Sequence, residues 1–551
     1  MKSIIFNFQG FHEKVKNRLS LWQKEDFVVR LQAKDPSLWF SSPEDEIIDR
    51  LGWLKLPEVM PGKLDDFNSI SDDVRAEQYS HVVLCGMGGS SLSPELYREV
   101  FGSASDYPEL IILDSTHPDA VTAVDKRINH KKPLFIISSK SGTTIETLFL
   151  FYYFWDKIGS QIQPPGHHFI AITDCGTPLE KLALQRGFRK IYNAPSDLGG
   201  RYSALSDFGL FPASLLGIDV GRFLEQAKFA SGSCTGEDEY EEKASCLYLG
   251  AFLGELNPDR DKLTILTSGS LSHFPDWLEQ LVAESLGKKG KGIVPIVNEP
   301  RIPPESFGED RYFVVFFLDS EKNSELDVYV KRIEQLGFPT VRIYLKDKYG
   351  LAQEIFRWEV AVALAGSVIG IHPFNQPDVQ LTKDLTQKVL KMDGDILKRE
   401  GEWDTLKISD AAVPEKLFSW LSSGQSGDYV CIQAFLSPFS DIDKALQKLR
   451  MTLLKRTHLP NTFGFGPRYL HSTGQLHKGG PNSGLFLQLV DEPVLDLPVP
   501  ETDYSFGSLI RAQALGDFLS LKEKNRRVLR INLGTNVLDS LLQLNTLLEE
   551  A

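Results

Sequence analysis

The stretch Leu134-Phe-Ile-Ile-Ser-Ser-Lys-Ser-Gly-Thr-Thr-Ile-Glu-Thr147 decides how the chain is read. Four apolar residues after the breaker Pro133 predict a buried strand. A run of small and polar residues follows, broken by Lys140, and Ile145 to Phe154 then reads as a packed helix. A strand that ends in Ser, Gly and Thr at a helix start gathers free backbone N–H groups and the positive end of the helix dipole. The hydroxyls of Ser139, Ser141, Thr143 and Thr144 can add donors. The arrangement predicts an anion site; an ordinary helix N-cap reads the same way.

Outward from this stretch, apolar strands recur with helices between them. Val82–Cys85, Leu110–Leu113 and Phe169–Thr173 flank it. A second series follows at Leu263–Leu266, Ile293–Val297, Tyr312–Leu318 and Val341–Leu345. Strands alternating with helices predict parallel sheets covered on both faces. Residues 1–70 read as a mainly helical lead-in anchored by Trp22, Leu51, Trp53 and Leu54. Beyond residue 400 a further α/β region carries strands at Tyr429–Ala434, Leu485–Val490 and Arg527–Ile531. The expected division is therefore 1–70, 71–235, 236–400 and 401–551. At 551 residues the chain is too long for a single core.

Composition narrows the function. Sixty Lys and Arg against 74 Asp and Glu leave a net charge of −14, which argues against nucleic acid or an anionic membrane as partner. No segment reads as a signal peptide or a membrane span. The five cysteines are odd in number and never spaced Cys-x-x-Cys, so a reduced, cytoplasmic chain without disulfides or a zinc site is expected.

Four further motifs carry chemistry. Cys85-Gly-Met-Gly-Gly-Ser-Ser91 follows the first strand; Gly89 and Ser90 sit either in a ligand turn or in a tight structural one. Leu198-Gly-Gly-Arg-Tyr-Ser203 presents Arg201 behind Gly200, toward a ligand or into a salt bridge. Trp277 to Lys288 buries Gln280 and Glu284 in an apolar helical run; such a carboxylate is either paired structurally or poised as a base. Gly370 to Lys383 is a turn-rich stretch with His372 and Gln376, leading into a helix that carries Lys383.

Together, Ser-Lys-Ser-Gly-Thr-Thr-Ile-Glu-Thr, Gly-Gly-Arg-Tyr-Ser, Glu-Ser-x-Gly-Lys and Phe-Asn-Gln-Pro-x-Val resemble the glucose-6-phosphate isomerase family from about residue 80 to 385. The overall character looks most like the isomerase half of bifunctional transaldolase/glucose-6-phosphate isomerase proteins; no transaldolase-like half is present. The resemblance implies an α/β fold of two flavodoxin-like sugar-isomerase domains, each a three-layer αβα sandwich on a parallel sheet, with the C-terminal α/β region added. It implies that Ser139, Ser141, Thr143, Thr144 and Ser90 hold the sugar phosphate. Gly89, Gly200, Gln280 and Gln376 would line the pocket. Glu284 would move the proton between C1 and C2, Arg201 would stabilise the enediolate, and Lys383 would meet the ring oxygen. No cofactor or metal is implied, and a homodimer is.

One departure stands out. The family opens the sugar ring with a histidine between the catalytic Glu and the Phe-x-Gln motif, and here none lies between His273 and His372. The candidates are His372 and the two histidines of Gly466-Pro-Arg-Tyr-Leu-His-Ser-Thr-Gly-Gln-Leu-His-Lys-Gly-Gly-Pro-Asn-Ser483. The expectation is that the third region folds back, or reaches across a dimer, to supply His477, with His471 second. A structural glycine-rich turn is the alternative. A phosphosugar-sensing module without catalysis, or an isomerase that also accepts mannose 6-phosphate, are the competing functions.

Overall fold

In the computed structural model of the chain, residues 3–40, 46–130, 132–235, 245–391 and 404–550 are described. The expected boundary at 400/401 lies outside these ranges, and that at 235/236 falls at the edge of one. The described strands form three five-stranded sheets. One strand, β1 (Ile4–Asn7), lies far in sequence from its sheet and is best described with it.

The first sheet contains β2 (His81–Gly86), β3 (Glu109–Leu113), β4 (Pro133–Ser138), β5 (Phe169–Asp174) and β6 (Lys190–Ala194), all parallel in the order β3-β2-β4-β5-β6. That is the flavodoxin-like order, with its reversal between β2 and β4. The stretch Leu134–Ile137 is the middle of this sheet. Its four side chains are fully buried because helices cover both faces, so an unbroken apolar run is what the position demands.

The second sheet contains β7 (Lys262–Thr267), β8 (Val294–Ile296), β9 (Arg311–Leu318) and β10 (Thr340–Leu345) in the order β8-β7-β9-β10, the same winding one strand short. The fifth place is taken by β1, which runs antiparallel to β10 with Ile4 opposite Ile343. The N-terminal segment, read from sequence as helical lead-in, thus begins with an edge strand of the second sheet. Its helical remainder packs between the first two sheets: Trp53 stacks on Tyr202 at 5.0 Å, and Gly52 N–H donates to the Asp197 carbonyl.

The third sheet contains β11 (Thr405–Lys407), β12 (Tyr429–Phe435), β13 (Asn461–Phe465), β14 (Gly484–Val490) and β15 (Arg527–Asn532), parallel in the order β11-β15-β14-β12-β13. It is joined to the first two by packing. The helix Phe506–Glu523 buries Leu509, Ala512, Leu515 and Phe518 in one cluster with Phe149, Leu150 and Tyr153 of the helix Ile145–Gly159. The same helix lies against Val379–Leu390, which carries Lys383. Cys234 and Cys246 are disulfide-linked, which corrects the expectation of a chain without disulfides. Their Cα atoms are 5.4 Å apart on neighbouring helices, an adjacency that cysteine spacing does not reveal. Among the described residues, no helix is long and apolar enough to cross a membrane.

The contact between helices 379–390 and 506–523 is made at Gly516, where a Cβ would lie 2.5 Å from Thr386 Oγ1 and 2.8 Å from its backbone nitrogen. Gly516→Val is therefore expected to force the helices apart at a cost of about 1–3 kcal/mol. Thermal unfolding should register it as a lower Tm; an unchanged Tm would mean that the helices do not meet at this residue.

Candidate active site

The loop after β4 is built on hydroxyls. Thr144, extended at φ −63° and ψ 111°, precedes the helix Ile145–Gly159. Ser139 Oγ lies 2.9 Å from Thr144 Oγ1, and Ser141 Oγ lies 2.9 Å from Thr143 Oγ1. Ser141 and Thr143 are exposed, Thr144 is half-buried and Ser139 is buried. Lys140, the charged residue of the run, points elsewhere and pairs with Asp174. The loop stands at the β2/β4 reversal, where open α/β sheets bind ligands.

Across this crevice the glycine-rich turn after β2 is a meeting point of chain segments. Gly88 adopts φ +55°; a Cβ there would lie 2.7 Å from the His471 carbonyl oxygen and 2.9 Å from Gln280 Nε2. A Cβ on Gly89 would collide with the Gly200 carbonyl. These glycines let the first sheet's turn, the Arg201 turn, the Glu284 helix and the third region approach backbone to side chain. Ser90 is buried in the first helical turn beyond them.

Arg201, 2% exposed, sits on the short turn Gly200–Tyr202 and is fully engaged. Its Nε donates to Ser285 Oγ at 2.8 Å. Its Nη1 meets Gln376 Oε1 at 3.0 Å and Glu284 Oε1 at 3.1 Å. Its Nη2 donates to the Pro373 and Asn375 carbonyls at 2.6 and 3.1 Å. Glu284 lies on the helix Phe274–Leu286, its side chain 15% exposed. Gln280, one turn earlier on the same face, donates from Nε2 to Glu284 Oε2 at 3.1 Å and to the His471 carbonyl at 2.8 Å. The structure therefore brings Arg201, Gln280, Glu284 and Gln376 into one cluster, beside Gly88 and His471.

His471 reaches this cluster through its backbone carbonyl and turns its ring to Glu146, whereas His477, expected at the site, lies buried away from it. His477 is buried in the core of the third region between the rings of Tyr469 and Phe486. Its Nδ1 lies 3.2 Å from Gln433 Nε2 and its Nε2 3.5 Å from Cys431 Sγ. Burial, then the charges of Lys478 and Arg526, hold its pKa well below the ordinary histidine value. His372, also buried, accepts the Phe374 and Asn375 N–H groups at Nδ1 and so shapes the loop that binds Arg201.

His471 is 24% exposed at its side chain, and its Nε2 lies 2.8 Å from Glu146 Oε1. Burial alone would push the Glu146 carboxyl up. His471 outweighs it, helped by the backbone N–H of Glu146 and the charge of Lys383, and the net shift is downward. Lys383 is exposed on its helix, with its charge felt at Glu146.

Glu146 stands inside the phosphate motif, yet the sequence gives it no role of its own. Its one signal is a carboxylate in the first turn of a helix whose next residues are aromatic and buried. Gln475 carries no such signal. It accepts from the Asp378 N–H and donates to Asp378 Oδ2 and the Gly287 carbonyl, and so clamps the His471 segment to both motifs. Among the described residues, no group of three or more His, Cys, Asp or Glu is arranged to hold a metal ion.

Residues 70–299 match the phosphoglucose isomerase family. This part of the chain is a phosphoglucose isomerase domain. A glucose-6-phosphate isomerase of Prochlorococcus marinus is 28% identical over 414 residues, which span 65% of this chain and 79% of the relative. One from Campylobacter jejuni is 27% identical over 384 residues, 62% of this chain and 92% of the relative. Among solved structures, a hypothetical protein of Thermus thermophilus superposes with a TM-score of 0.60 at 24% identity, covering 71% of this chain and all of its own. This last likeness concerns the fold alone. The aligned shares leave room for the third region, which the phosphoglucose isomerase domain does not include.

The buried, neutral state of His477 has a thermodynamic consequence. The unfolded chain takes up a proton at this side chain below the ordinary value of 6.5 and the folded chain does not. Stability contributed here is therefore present above pH 6.5 and lost as pH falls beneath it. His477→Gln is expected to retain isomerase turnover and to show a shallower decline of Tm between pH 6.5 and 5 than the parent; an equally steep decline would contradict a buried neutral imidazole.

Proposed function

We infer that this chain is a glucose-6-phosphate isomerase that interconverts glucose 6-phosphate and fructose 6-phosphate, a glycolytic step. The observation that carries this reading is the contact of Arg201 Nη1 with Glu284 Oε1 at 3.1 Å, flanked by Gln280 and Gln376. A carboxylate beside a fixed guanidinium is what moving a proton next to a carbonyl requires.

In this reading the sugar phosphate sits on the hydroxyls of Ser139, Ser141, Thr143 and Thr144, with Ser90 near by and the N-terminus of the 145–159 helix beneath it. His471 exchanges the proton between the anomeric hydroxyl and the ring oxygen, so that the ring C1–O5 bond breaks and a carbonyl forms at C1. Lys383 stands near the ring oxygen. Glu284 then takes the proton from C2, the electrons pass into a cis-enediolate held by Arg201, the O2 hydroxyl proton passes to O1, and the same carboxyl returns its proton to C1 so that the carbonyl stands at C2. No net oxidation occurs, and no electrons leave the substrate. Gly89 and Gly200 bring the backbone close on one side; Gln280 and Gln376 orient Glu284 and Arg201.

A non-catalytic phosphosugar sensor would have no use for a buried arginine set against a carboxylate, which disfavours that alternative. The proposal extends to a cytoplasmic homodimer, as the family resemblance implies, with residues 71–235 and 236–400 as the two sugar-isomerase units. His471 reaches the site within one chain, so pairing of subunits is not needed to supply it.

The test is a coupled assay of fructose 6-phosphate conversion with the parent, Glu284→Gln and His471→Ala. Glu284→Gln is expected to lower turnover by about 10²–10⁴-fold, the usual contribution of a positioned acid–base group. His471→Ala should fall as well, whereas His477→Gln should not. Undiminished turnover in Glu284→Gln would move the base elsewhere. Fructose 6-phosphate binding without turnover in the parent would favour the sensor.

A further inference from the structure

Gln513 lies in the middle of the helix Phe506–Glu523, 2% exposed, in a region that lies outside the phosphoglucose isomerase domain. Its amide touches two groups of the first sheet's loops. Thr116 Oγ1, fully buried after β3, donates to Gln513 Oε1 at 3.0 Å. Gln513 Nε2 donates to Glu146 Oε1 at 2.7 Å. The amide has one workable orientation, since the flipped form would set its carbonyl oxygen against the Glu146 carboxylate. Glu146 Oε1 therefore accepts two N–H bonds, from Gln513 and from His471.

We propose that Gln513 is a positioning residue for proton transfer at His471, acting through Glu146 and held in orientation by Thr116. This rests on the isomerase reading given above and deepens it. The carboxylate receives the Nε2 proton of His471, which leaves Nδ1 as the nitrogen that exchanges a proton with the sugar. Gln513 donates to the same carboxylate oxygen that meets His471, and so holds the carboxylate that in turn fixes the plane of the imidazole. It also favours the ionised form of Glu146, because a donor to a carboxylate stabilises its charge. The charged groups acting on Glu146 are His471, from the turn Arg468–His471, and Lys383, from the helix Val379–Leu390. Gln513 is the neutral member of the set. The third region thus contributes both the histidine and the residue that holds its carboxylate partner.

The experiment compares pH profiles of kcat/KM and kcat for the full-length parent, Gln513→Leu, Gln513→Glu and Thr116→Val. Loss of the donor raises the Glu146 pKa, so the acid limb should move to higher pH in both Gln513 variants while the alkaline limb stays in place. kcat should fall on the order of tenfold, with KM changed less, the lower end of what losing an outer partner costs at metal-bound histidines. Thr116→Val, which frees the amide to rotate, should shift the same limb by a smaller amount. If Gln513→Leu does not fold, the near-isosteric Gln513→Glu and Thr116→Val carry the test. A lower kcat with an unmoved acid limb would make Gln513 a packing residue and overturn the proposal, as would unchanged kinetics. Either result leaves the isomerase reading intact, because the parent would still turn over. A parent without turnover would remove both.

Discussion

A guanidinium removed from water must find a partner for every N–H, and Arg201 meets that demand by drawing two distant chain segments onto itself. The serine beside Glu284, the carboxylate of Glu284 and the 373–376 loop all converge on it. Each segment comes from a different part of the fold, and none of these contacts is local in sequence. Losing one partner of a buried pair typically costs about 3–5 kcal/mol, since the other charge is left uncompensated. Placement of the acid–base group and integrity of the junction between the first two sheets therefore depend on one side chain. Lys288 adds a second tie: its buried amino group donates to the His372 carbonyl at 2.5 Å and joins the 373–376 loop to the end of the Glu284 helix.

The first two sheets share a winding order but use their reversal points differently. After β4 the hydroxyl residues Ser141 and Thr143 are exposed at a helix start. At the matching place in the second sheet the polar groups are turned on one another. Ser268 Oγ donates to Asn323 Oδ1 at 2.7 Å and accepts the Leu318 N–H, and the Ser270 N–H donates to Glu321 Oε1 at 3.0 Å. An internal carboxylate satisfies donors that in the first sheet remain for an anion. Similar topology thus yields one candidate ligand site and one closed joint, and the difference lies in a few side chains.

Much of the fold was legible because parallel strands buried on both faces are largely apolar, and the runs at Val82, Leu134, Phe169 and Tyr312 have that character. The strands that escaped are marginal ones. β11 is three residues long, β13 reads Asn-Thr-Phe-Gly-Phe with a glycine inside, β6 is half polar, and β1 sits in front of a helical segment. The cluster of Arg201, Gln280, Glu284 and Gln376 was legible through its motifs. The choice between His471 and His477 was not, because six residues of spacing say nothing about which ring faces the third sheet. Glu146 and Gln513 were hidden for a related reason: their meaning lies in partners more than 300 residues away.

The edge position of β1 has a consequence for how the chain is made. Residues 4–7 pair with 340–343, so β1 cannot enter its sheet until β10, more than 300 residues later, has been made. At about 5–20 residues per second, roughly 20–70 s separate the synthesis of the two partners. The first sheet, complete by residue 194, can form during that interval while the apolar Ile4-Ile5-Phe6 remains unpaired. A nascent chain in this state carries an unpaired apolar strand until β10 emerges.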